Sequence, residues 1–531
     1  MKWRILILSA ISLFFTACQV QENIQDGQTA YKLKKYKLAA ELLQKDFNKA
    51  ELPDEKSKIA FQIGESYANN NNYENAGEWY FKAYDLGYES EAILQYALML
   101  KAQEKYEEAL KEFEKYLLEE PYRRPEMTLE MDACKNGIAW KQRQENEYER
   151  DTYVTEITTL NSGDADFNPV IYQGDKLIFT SSRDMSTGEN NDSWTGDKYY
   201  DLYVANIKDV TSFSAPELFK GPFNAAYNDG TLAFNKDYSE VYFTRCGSDD
   251  RKVDDYCGIY VSNYLPDGGW SEPVALPFFD DTMNIGTPCL SLDGNTLFFA
   301  ATNPDGYGGA DIYMSRRTES GWDAAYNAGQ VINTSGNEVF PYFDSEGVMY
   351  FSSDKHPGLG GLDIFSATWK NNKFSNIKNM EYPINSGADD FGLILLDKKQ
   401  FINSDTLNAG YFSSNRKGGM GDDDMYFFAK TTKKLRPPVF VLKGTVLEKV
   451  YLDSLDVNST VLDTIPLDKS IATLSYPNEQ TLLGKWNIGD EGIFSIQVDS
   501  LKEYKITGMK EGYFNNTTYV STKTAKGKPG D

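Results

Sequence analysis

Gly309-Ala310-Asp311-Ile312-Tyr313 is the stretch that organises this chain, because the same short phrase returns along the middle of the sequence. It recurs as GLDIF at residues 361–365 and, more loosely, as DDMYF at 423–427, and related phrases lie at 200–203 and 257–260. Counted between the aliphatic positions, the spacings are 57, 53, 52 and 61 residues. Aromatic-rich runs such as VYFTRC, LFFAAT and MYFSSD precede the phrases. A period near fifty with about four strand-sized segments per unit is typical of a β-propeller.

The repeat predicts an all-β propeller over residues 153–430. In its first unit, residues 167–171 supply the inner strand, 176–180 the second and 201–205 the third, and a polar, Pro-bearing return supplies the outer strand. Five units are clear. Leftover terminal strands could assemble a sixth, and the sequence leaves that alternative open.

The recurring aspartate of the phrase has two interpretations. Five carboxylates at equivalent positions could bind calcium, as oxygen-rich loops do. Alternatively, an aspartate after a glycine pair caps a tight turn through bonds to backbone amides and starts the strand in register. Recurrence in every blade favours the structural role for these residues, which are Asp201, Asp311, Asp363 and Asp424.

Residues 26–148 are predicted to be helical, with apolar positions at a period of 3.6. The motifs YKLA at 36–39, YENA at 73–76 and YEEA at 106–109 each precede an apolar-periodic helix. This pattern resembles the tetratricopeptide repeat, in which small residues let paired helices pack closely. The resemblance implies an all-α solenoid whose concave surface holds a protein segment. A purely architectural spacer is the alternative.

Residues 439–522 return to alternating, strand-like patterns after a basic, Pro-bearing linker. The order of Gly444-Thr445-Val446 and Gly512-Tyr513-Phe514 resembles the carboxypeptidase regulatory-like β-sandwich, which implies a spacer or docking module. Residues 523–531 are predicted to be a flexible tail. The expected fold class is therefore multidomain: an all-α tetratricopeptide solenoid, an all-β propeller of five or six blades, and a small β-sandwich.

The N-terminus predicts export. Lys2 and Arg4 precede an apolar stretch of about eleven residues, which is too short to span a bilayer and fits a signal peptide over residues 1–17. It ends in Thr16-Ala17-Cys18, which resembles the bacterial lipobox. The resemblance implies lipidation of Cys18, with residues 18–25 as a tether and a lipid anchor in place of a membrane span. An ordinary secreted protein is the alternative.

Composition argues against two classes of function, nucleic-acid binding and histidine-dependent catalysis. The formal charge of −25 and the pI near 4.6 argue against nucleic acid as a partner, because phosphate binding needs a basic surface. His356 is the only histidine, so the chain can form at most one serine–histidine or cysteine–histidine catalytic site. We expect no catalytic residue, no cofactor and no metal site. A glycan-cleaving propeller with two carboxylates stays as a weak rival.

Two cysteines could meet across the second blade. Cys246 ends one predicted strand and Cys257 begins the next. An exported compartment permits a disulfide between them, and two free, partly buried thiols are the alternative. The spacing of the cysteines shows no CxxC pattern of the kind that binds zinc.

The propeller sequence resembles the TolB-like (PD40-type) repeat, which combines an aromatic strand, Ser-Ser-Arg or Ser-Asn-Arg, a Gly-rich loop and Asp-aliphatic-Tyr. Thr180-Ser181-Ser182-Arg183 and Ser413-Ser414-Asn415-Arg416 match closely, whereas Thr244-Arg245-Cys246 departs from the pattern. The resemblance implies a protein-binding platform.

The order of all four parts resembles the PorE family of Bacteroidota, whose members are outer-membrane lipoproteins of the type IX secretion and gliding machinery. The resemblance implies a non-enzymatic scaffold that docks envelope proteins and is anchored by lipid to the outer membrane. The periplasmic side is favoured over the cell surface, and the sequence leaves this orientation open. The alternative is a lipoprotein that binds glycan or peptide ligands on its propeller face. The family's OmpA-like domain has no counterpart in these residues, so direct peptidoglycan binding is not expected of them.

Overall fold

The structure is a computed structural model of the protein. It describes residues 24–146, 149–187, 198–225, 227–247, 256–278, 283–397, 405–432, 440–478, 481–498 and 502–523. The predicted signal peptide and Cys18 therefore lie outside the described residues. Within these ranges no helix is both long and apolar enough to cross a membrane. The chain divides into two compact units, residues 1–433 and residues 434–531.

The first unit begins with a block of helices. They are α1 (Gly27–Lys32), α2 (Tyr36–Lys49), α3 (Pro53–Ala68), α4 (Tyr73–Asp85), α5 (Glu91–Ala102), α6 (Tyr106–Glu119) and α7 (Arg124–Glu145), with a 3-10 turn at Pro121–Arg123. Some of the helices begin where the sequence supplies a side-chain cap or a proline. Asp26 accepts a hydrogen bond from the amide of Thr29, Asn72 does so for Asn75, and Pro53 occupies the first turn of α3.

Small residues allow the helices to approach closely. Ala39, Ala76 and Ala109, which close the three predicted motifs, are fully buried. A Cβ at Gly64 would lie 2.8 Å from the ring of Tyr80, so glycine is required for this helix contact. Consecutive helices pack against each other along the whole block.

The fold class predicted from the sequence is wrong. The described chain is mostly β, with thirty strands against seven α-helices in a single N-terminal block, and no tetratricopeptide solenoid is shown. The block is also not separate, because it forms one compact unit with the propeller. Leu359 of the propeller is fully buried in the core formed by α5, α6 and α7. Helical periodicity predicts the buried face of a helix but not the element that covers it.

Five antiparallel sheets follow the helices, each running from an inner to an outer strand. Blade 1 contains β2 (Asp166–Tyr172), β3 (Lys176–Ser181), β4 (Asp201–Asp209), β5 (Ser212–Phe213) and β6 (Glu217–Leu218). Blade 2 contains β7 (Asn228–Phe234), β8 (Glu240–Cys246), β9 (Cys257–Asn263) and β10 (Val274–Ala275). Blade 3 contains β11 (Ile285–Leu290), β12 (Thr296–Thr302), β13 (Ala310–Thr318), β14 (Gly321–Trp322) and β15 (Tyr326–Asn327). Blade 4 contains β16 (Glu338–Phe343), β17 (Val348–Ser353), β18 (Asp363–Lys370) and β19 (Lys373–Asn379).

Blade 5 combines strands from both ends of the propeller sequence. It contains β20 (Asp390–Leu395), β21 (Thr406–Ser414), β22 (Asp424–Thr431) and, as its outer strand, β1 (Thr152–Glu156). β1 pairs antiparallel with β22, with Thr152 opposite Lys430 and Glu156 opposite Tyr426. The inner strands contact one another in a closed ring, β2–β7–β11–β16–β20 and back to β2. The leftover terminal strand thus completes the fifth blade, and the described residues form no sixth.

The second strand of each blade explains the aromatic-rich runs of the sequence. Neighbouring blades cover both of its faces, so its side chains are buried on both sides. Phe298 and Phe299 of β12, for example, point to opposite faces and are both fully buried, as are Tyr411 and Phe412 of β21.

The second unit is all β in the residues that the structure describes. Its strands are β23 (Phe440–Thr445), β24 (Leu447–Tyr451), β25 (Val461–Pro466), β26 (Ile471–Ser475), β27 (Leu482–Asn487), β28 (Ile493–Val498), β29 (Glu503–Met509) and β30 (Asn516–Ser521). β23 pairs with β28, β24 pairs with β25, and the remaining strands form a sheet in the order β27-β26-β29-β30. Leu474, Ile496, Val498, Tyr504 and Ile506 are the buried centre between the sheets.

Candidate functional site

The five inner strands enclose a central channel of about 270 Å³. Its wall is made by four consecutive residues from each strand, so every blade contributes equally. Most of these residues are apolar, and they include Pro169, Pro288, Pro341, Ile171, Phe234, Leu290, Phe343 and Leu395. Apolar side chains and polar backbone and hydroxyl groups therefore share the channel wall in nearly equal measure.

A left-handed residue occurs at the same place in each inner strand. The positions and their φ angles are Asn168 (52°), Thr231 (37°), Thr287 (51°), Phe340 (53°) and Gly392 (62°). The pairing register of each strand shifts there, which identifies a β-bulge. Glycine and asparagine suit this conformation, but a bulky residue such as Phe340 is strained in it. An aromatic residue at this position in blade 4 therefore needs a reason other than backbone preference.

The bulge amides of four blades donate to a neighbouring blade, three of them to a hydroxyl of its second strand. The amide of Thr231 donates to Thr180 Oγ1 at 3.0 Å, and the amide of Thr287 donates to Thr244 Oγ1 at 3.0 Å. The amide of Asn168 donates to Ser413 Oγ at 2.9 Å. Blade 3 has Ala300 at the position of these hydroxyls, as the strand registers show. Ser352 of blade 4 also stands at this position, but its hydroxyl has no hydrogen-bond partner. The second-strand hydroxyls thus fasten three of the five junctions between blades.

Aromatic rings lie at the end of the channel where the inner strands begin. The ring centroids of Phe340 and Phe391 are 4.8 Å apart, and those of Phe167 and Phe391 are 5.9 Å apart. Phe167 and Phe340 are half-buried, so part of each ring is accessible. We call these three residues the aromatic rim.

The channel wall offers little for acid–base or nucleophilic chemistry. Among the described residues that line it, none is a carboxylate or a histidine. Burial raises the pKa of the Cys289 thiol to about 12, so the thiolate is scarce near neutral pH. Burial also raises the pKa of Tyr342, whose hydroxyl donates to the carbonyl of Leu395. The wall can accommodate an apolar group, and burial keeps its thiol and its phenol protonated near neutral pH.

The repeated aspartates lie at the turns that start the third strands, and all four are buried. Asp311 accepts from the amide of Tyr307 at 2.6 Å, Asp363 from Gly360 at 3.0 Å, and Asp424 from Gly421 at 3.1 Å. Asp201 accepts from the hydroxyl of Thr187 at 3.0 Å and from its amide. Each carboxylate therefore bonds to the loop of its own blade.

The interpretation of five equivalent carboxylates is wrong for blade 2. The strand register places Gly258 opposite Arg245, where Asp201 of blade 1 stands opposite Ser181. The four aspartates occupy separate blades, and the described chain brings no three acidic, histidine or cysteine side chains together in a metal-binding group. Burial raises the pKa of Asp363 to about 7 and the pKa values of Asp201 and Asp424 to about 6.

Buried acid–arginine pairs were missed by the sequence reasoning. Asp390 pairs with Arg416 at 2.5 Å, Asp229 pairs with Arg245 at 2.5 Å, and Asp166 pairs with Arg183. The three aspartates begin the inner strands of their blades and are fully buried. The Ser-Ser-Arg and Ser-Asn-Arg motifs were the signal for two of these pairs. The partner acid lies more than fifteen residues upstream, where no local pattern identifies it.

Cys246 and Cys257 are joined by a disulfide. They stand opposite each other at the ends of β8 and β9. The disulfide thus closes blade 2 next to Gly258, where the turn carboxylate is missing. Cys134 and Cys289 are free and buried.

The helices contact the propeller through loops of blades 4 and 5. Glu104 accepts from the amide of Gly387 at 3.2 Å and pairs with Lys141 at 2.6 Å. Arg143 pairs with Glu381 at 2.6 Å. The loop containing Gly387 leads into β20, so the helices lie at the channel end that carries the aromatic rim. We call these contacts the seam.

Comparison with known proteins finds partial similarity to solved structures. No protein-family model and no curated protein matches the chain. The protein BT0996, solved in a complex with RGII, is 9% identical, covers 55% of this chain and 95% of its own, and has a TM-score of 0.36. A TolB-type protein of Agrobacterium tumefaciens is 13% identical, covers 65% of this chain and 96% of its own, and has a TM-score of 0.31. A glycoside hydrolase is 11% identical, with coverages of 55% and 95% and a TM-score of 0.36.

Proposed function

We propose that this protein is a non-enzymatic scaffold of the bacterial outer membrane, anchored by lipid at Cys18, that docks envelope proteins at the aromatic rim of its propeller. The observation that carries the proposal is the aromatic rim, in which the half-buried rings of Phe167 and Phe340 flank Phe391 at the channel end beside the seam. The resemblance of the domain order to PorE-type lipoproteins supplies the setting, the type IX secretion and gliding machinery. Direct peptidoglycan binding is not part of the proposal.

An apolar protein segment fits the chemistry of the rim. One aromatic side chain that inserts buries about 200 Å² of surface, a gross gain of about 5 kcal/mol before the costs of association. The half-buried ring of Phe340 supports a binding role, whereas its positive φ is a bulge feature that all five inner strands share.

The seam supports a scaffold function, because its contacts hold the helices in a fixed position beside the rim. Lys101 of α5 is 6% exposed and pairs with Glu130 of α7 at 2.7 Å, which ties together the helices that bury Leu359. A partner that contacts both the helices and the rim meets a rigid surface, which reduces the entropy lost on binding.

The test uses tagged full-length protein purified from detergent-solubilised envelope, in wild-type form and as Phe340→Asn. Asparagine accepts a positive φ, so the variant removes the aromatic ring while relieving the backbone. Tyr326→Asn is the matched control, since it removes a 41%-exposed aromatic outside the channel wall. We expect secretion-system components in stoichiometric amounts with wild type and Tyr326→Asn, and at least tenfold less with Phe340→Asn. Equal recovery with both variants would refute docking at the rim.

The second candidate is binding of glycan or peptide ligands at the same rim, because aromatic rings also stack on sugar faces. Recovery of the wild-type protein alone, together with retention on a glycan column that Phe340→Asn abolishes, would support this candidate and reject the scaffold.

A further inference from the structure

Among the strands that the structure describes, β23 of the second unit has a partner along one edge only. Its six residues pair with β28, from Phe440 opposite Val498 to Thr445 opposite Ile493. No other described strand pairs with it. An exposed strand edge presents unpaired amides and carbonyls and can accept another strand.

The core-facing side chains of β23 are less well buried than those opposite them on β28. The core-facing Ile496 and Val498 of β28 are 4% and 7% exposed. The corresponding Phe440 and Leu442 of β23 are only half-buried. The apolar surface thus extends past the strand that covers it.

A cleft of about 290 Å³ opens beside β23, over the outer part of the larger sheet. Leu442 and Val446 line one side, and Ile506 of β29 and Val520 of β30 line the other. Phe514, also in the lining, is 100% exposed. Apolar side chains at the base of the cleft and backbone at its side are the two parts of a strand-binding groove.

The backbone pattern shows which groups face the open edge. The amide of Val446 donates to the carbonyl of Gly492, which continues the pairing toward β28. Antiparallel strands alternate their hydrogen-bonding direction, so the amides of Val441, Lys443 and Thr445 point to the other edge. The side chains of these three residues face away from the core and are exposed.

We propose that the open edge of β23 and its cleft bind an extended segment of another protein as an added β-strand. A segment of six residues matches the length of β23, about 20 Å, and its alternate apolar side chains enter the cleft. A second copy of this chain is the less suitable occupant, because each copy carries a net charge of −25. This site is independent of the propeller rim and does not depend on the function proposed there.

The test measures binding of a fluorescent ten-residue peptide, alternating valine with threonine and lysine, to the full-length protein. A second peptide has the same side chains but carries N-methyl groups on the amides of one edge. We expect the N-methylated peptide to bind at least tenfold more weakly, because it cannot complete the backbone ladder. Hydrogen exchange of the amides of Val441, Lys443 and Thr445 should slow when the first peptide binds.

Two substitutions place the site on β23. Lys443→Pro removes one amide at the open edge, where proline is tolerated, and should weaken peptide binding at least tenfold. Lys443→Ala keeps the amide and should bind within twofold of wild type. Phe514→Ala, at a fully exposed side chain, should weaken binding three- to tenfold.

Three results would overturn the proposal. The first is equal affinity for the two peptides, which needs no variant and holds even if Lys443→Pro misfolds. The second is equal affinity of Lys443→Pro and Lys443→Ala. The third is a doubled solution mass of the wild-type protein that Lys443→Pro abolishes, because the edge would then join two copies of this chain.

Discussion

Blades 2 and 5 each pair a buried aspartate with an arginine, but the arginine comes from a different position in the two blades. In blade 5, the buried Asp390 at the start of the inner strand pairs with Arg416, which stands in the loop two residues beyond β21. In blade 2, Asp229 pairs with Arg245, which lies within β8 itself. Both guanidinium groups lie over aromatic rings of their own blade, 5.0 Å from Phe412 and 5.2 Å from Phe243. The repeat preserves the ion pair although the arginine has moved along the chain.

The two blades differ at the turn into the third strand. Blade 5 has Asp424, whose carboxylate accepts a hydrogen bond from the amide of Gly421. Blade 2 has Gly258 there and, beside it, the Cys246–Cys257 disulfide. A covalent link stands where the other blades use a buried acid. Each blade is therefore closed at this end, by a buried acid in four blades and by a disulfide in blade 2.

Breaking the ion pair of blade 5 should destabilise the protein more than loss of the disulfide or of the turn acid does. Arg416→Met leaves the carboxylate of Asp390 buried without its partner, and loss of one member of a buried pair typically costs about 3–5 kcal/mol. Burial already raises the pKa of Asp390, and Arg416 opposes that rise. We expect urea denaturation, followed by tryptophan fluorescence, to show a loss of unfolding free energy of this size.

The neighbouring Lys417 provides the control. Its side chain is 97% exposed, so Lys417→Met should change the unfolding free energy by less than about 0.5 kcal/mol. Arg245→Met should cost as much as Arg416→Met to within about 1 kcal/mol if the two pairs are equivalent. A loss with Arg416→Met but none with Arg245→Met would show that the two blades are not equivalent.

The next effect concerns the disulfide of blade 2. The bridge joins cysteines eleven residues apart, and a loop of that size constrains the unfolded chain by about 3 kcal/mol. Replacing both cysteines by serine should lower the unfolding free energy by about that amount. A reducing agent should bring the wild-type protein to the same value and leave the double variant unchanged. Wild-type stability that persists after thiol titration confirms reduction would contradict this role.

The sequence predicted the strands of the propeller because each strand carries its own local pattern. The aromatic runs become second strands buried on both faces, and the Asp phrases mark the third strands. The place of β1 in blade 5 is harder to predict, because its partner β22 lies about 270 residues later and only closure of the ring brings the two strands together. The helical block was misjudged for the same reason, because Leu359 and Gly387, which complete its packing, come from the propeller.

The candidate site was predicted only in part. The repeated aspartates were identified by number, and their burial follows from the turns that they cap. The aromatic rim was not identified, because Phe340 and Phe391 are adjacent only through the ring of inner strands. Nor does any local pattern show that Phe340 has a positive φ, since phenylalanine is an unusual residue for it.

The third prediction concerns pH and the turn acid of blade 5. Burial, followed by the charge of Glu156, raises the pKa of Asp424 to about 6. The folded state therefore favours the protonated acid, and the unfolding free energy should fall as the pH rises from about 4 to about 6. Asp424→Asn removes this contribution. Between pH 4 and 6 the unfolding free energy of the variant should therefore fall less steeply with pH than that of the wild type, by up to about 1.4 kcal/mol per pH unit. Urea denaturation across pH 4 to 8 measures it. The exposed Asp305→Asn is the control, and an unchanged slope for Asp424→Asn would contradict the assignment.

The smallest effect is expected from a second-strand hydroxyl added between blades 3 and 4, where the bulge amide now has a longer hydrogen bond. Thr180, Thr244 and Ser413 each accept the bulge amide of the next blade, whereas blade 3 has Ala300. The amide of Phe340 uses Thr287 Oγ1 instead, at a longer 3.3 Å. Ala300→Ser adds one buried hydroxyl beside that amide and should raise the unfolding free energy by about 0.5 kcal/mol, within the range of a single hydrogen bond. Ala301→Ser, one residue along the same strand, adds a buried hydroxyl away from the bulge and should be destabilising. If both variants lost stability equally, the hydroxyl would not be what fastens the blades.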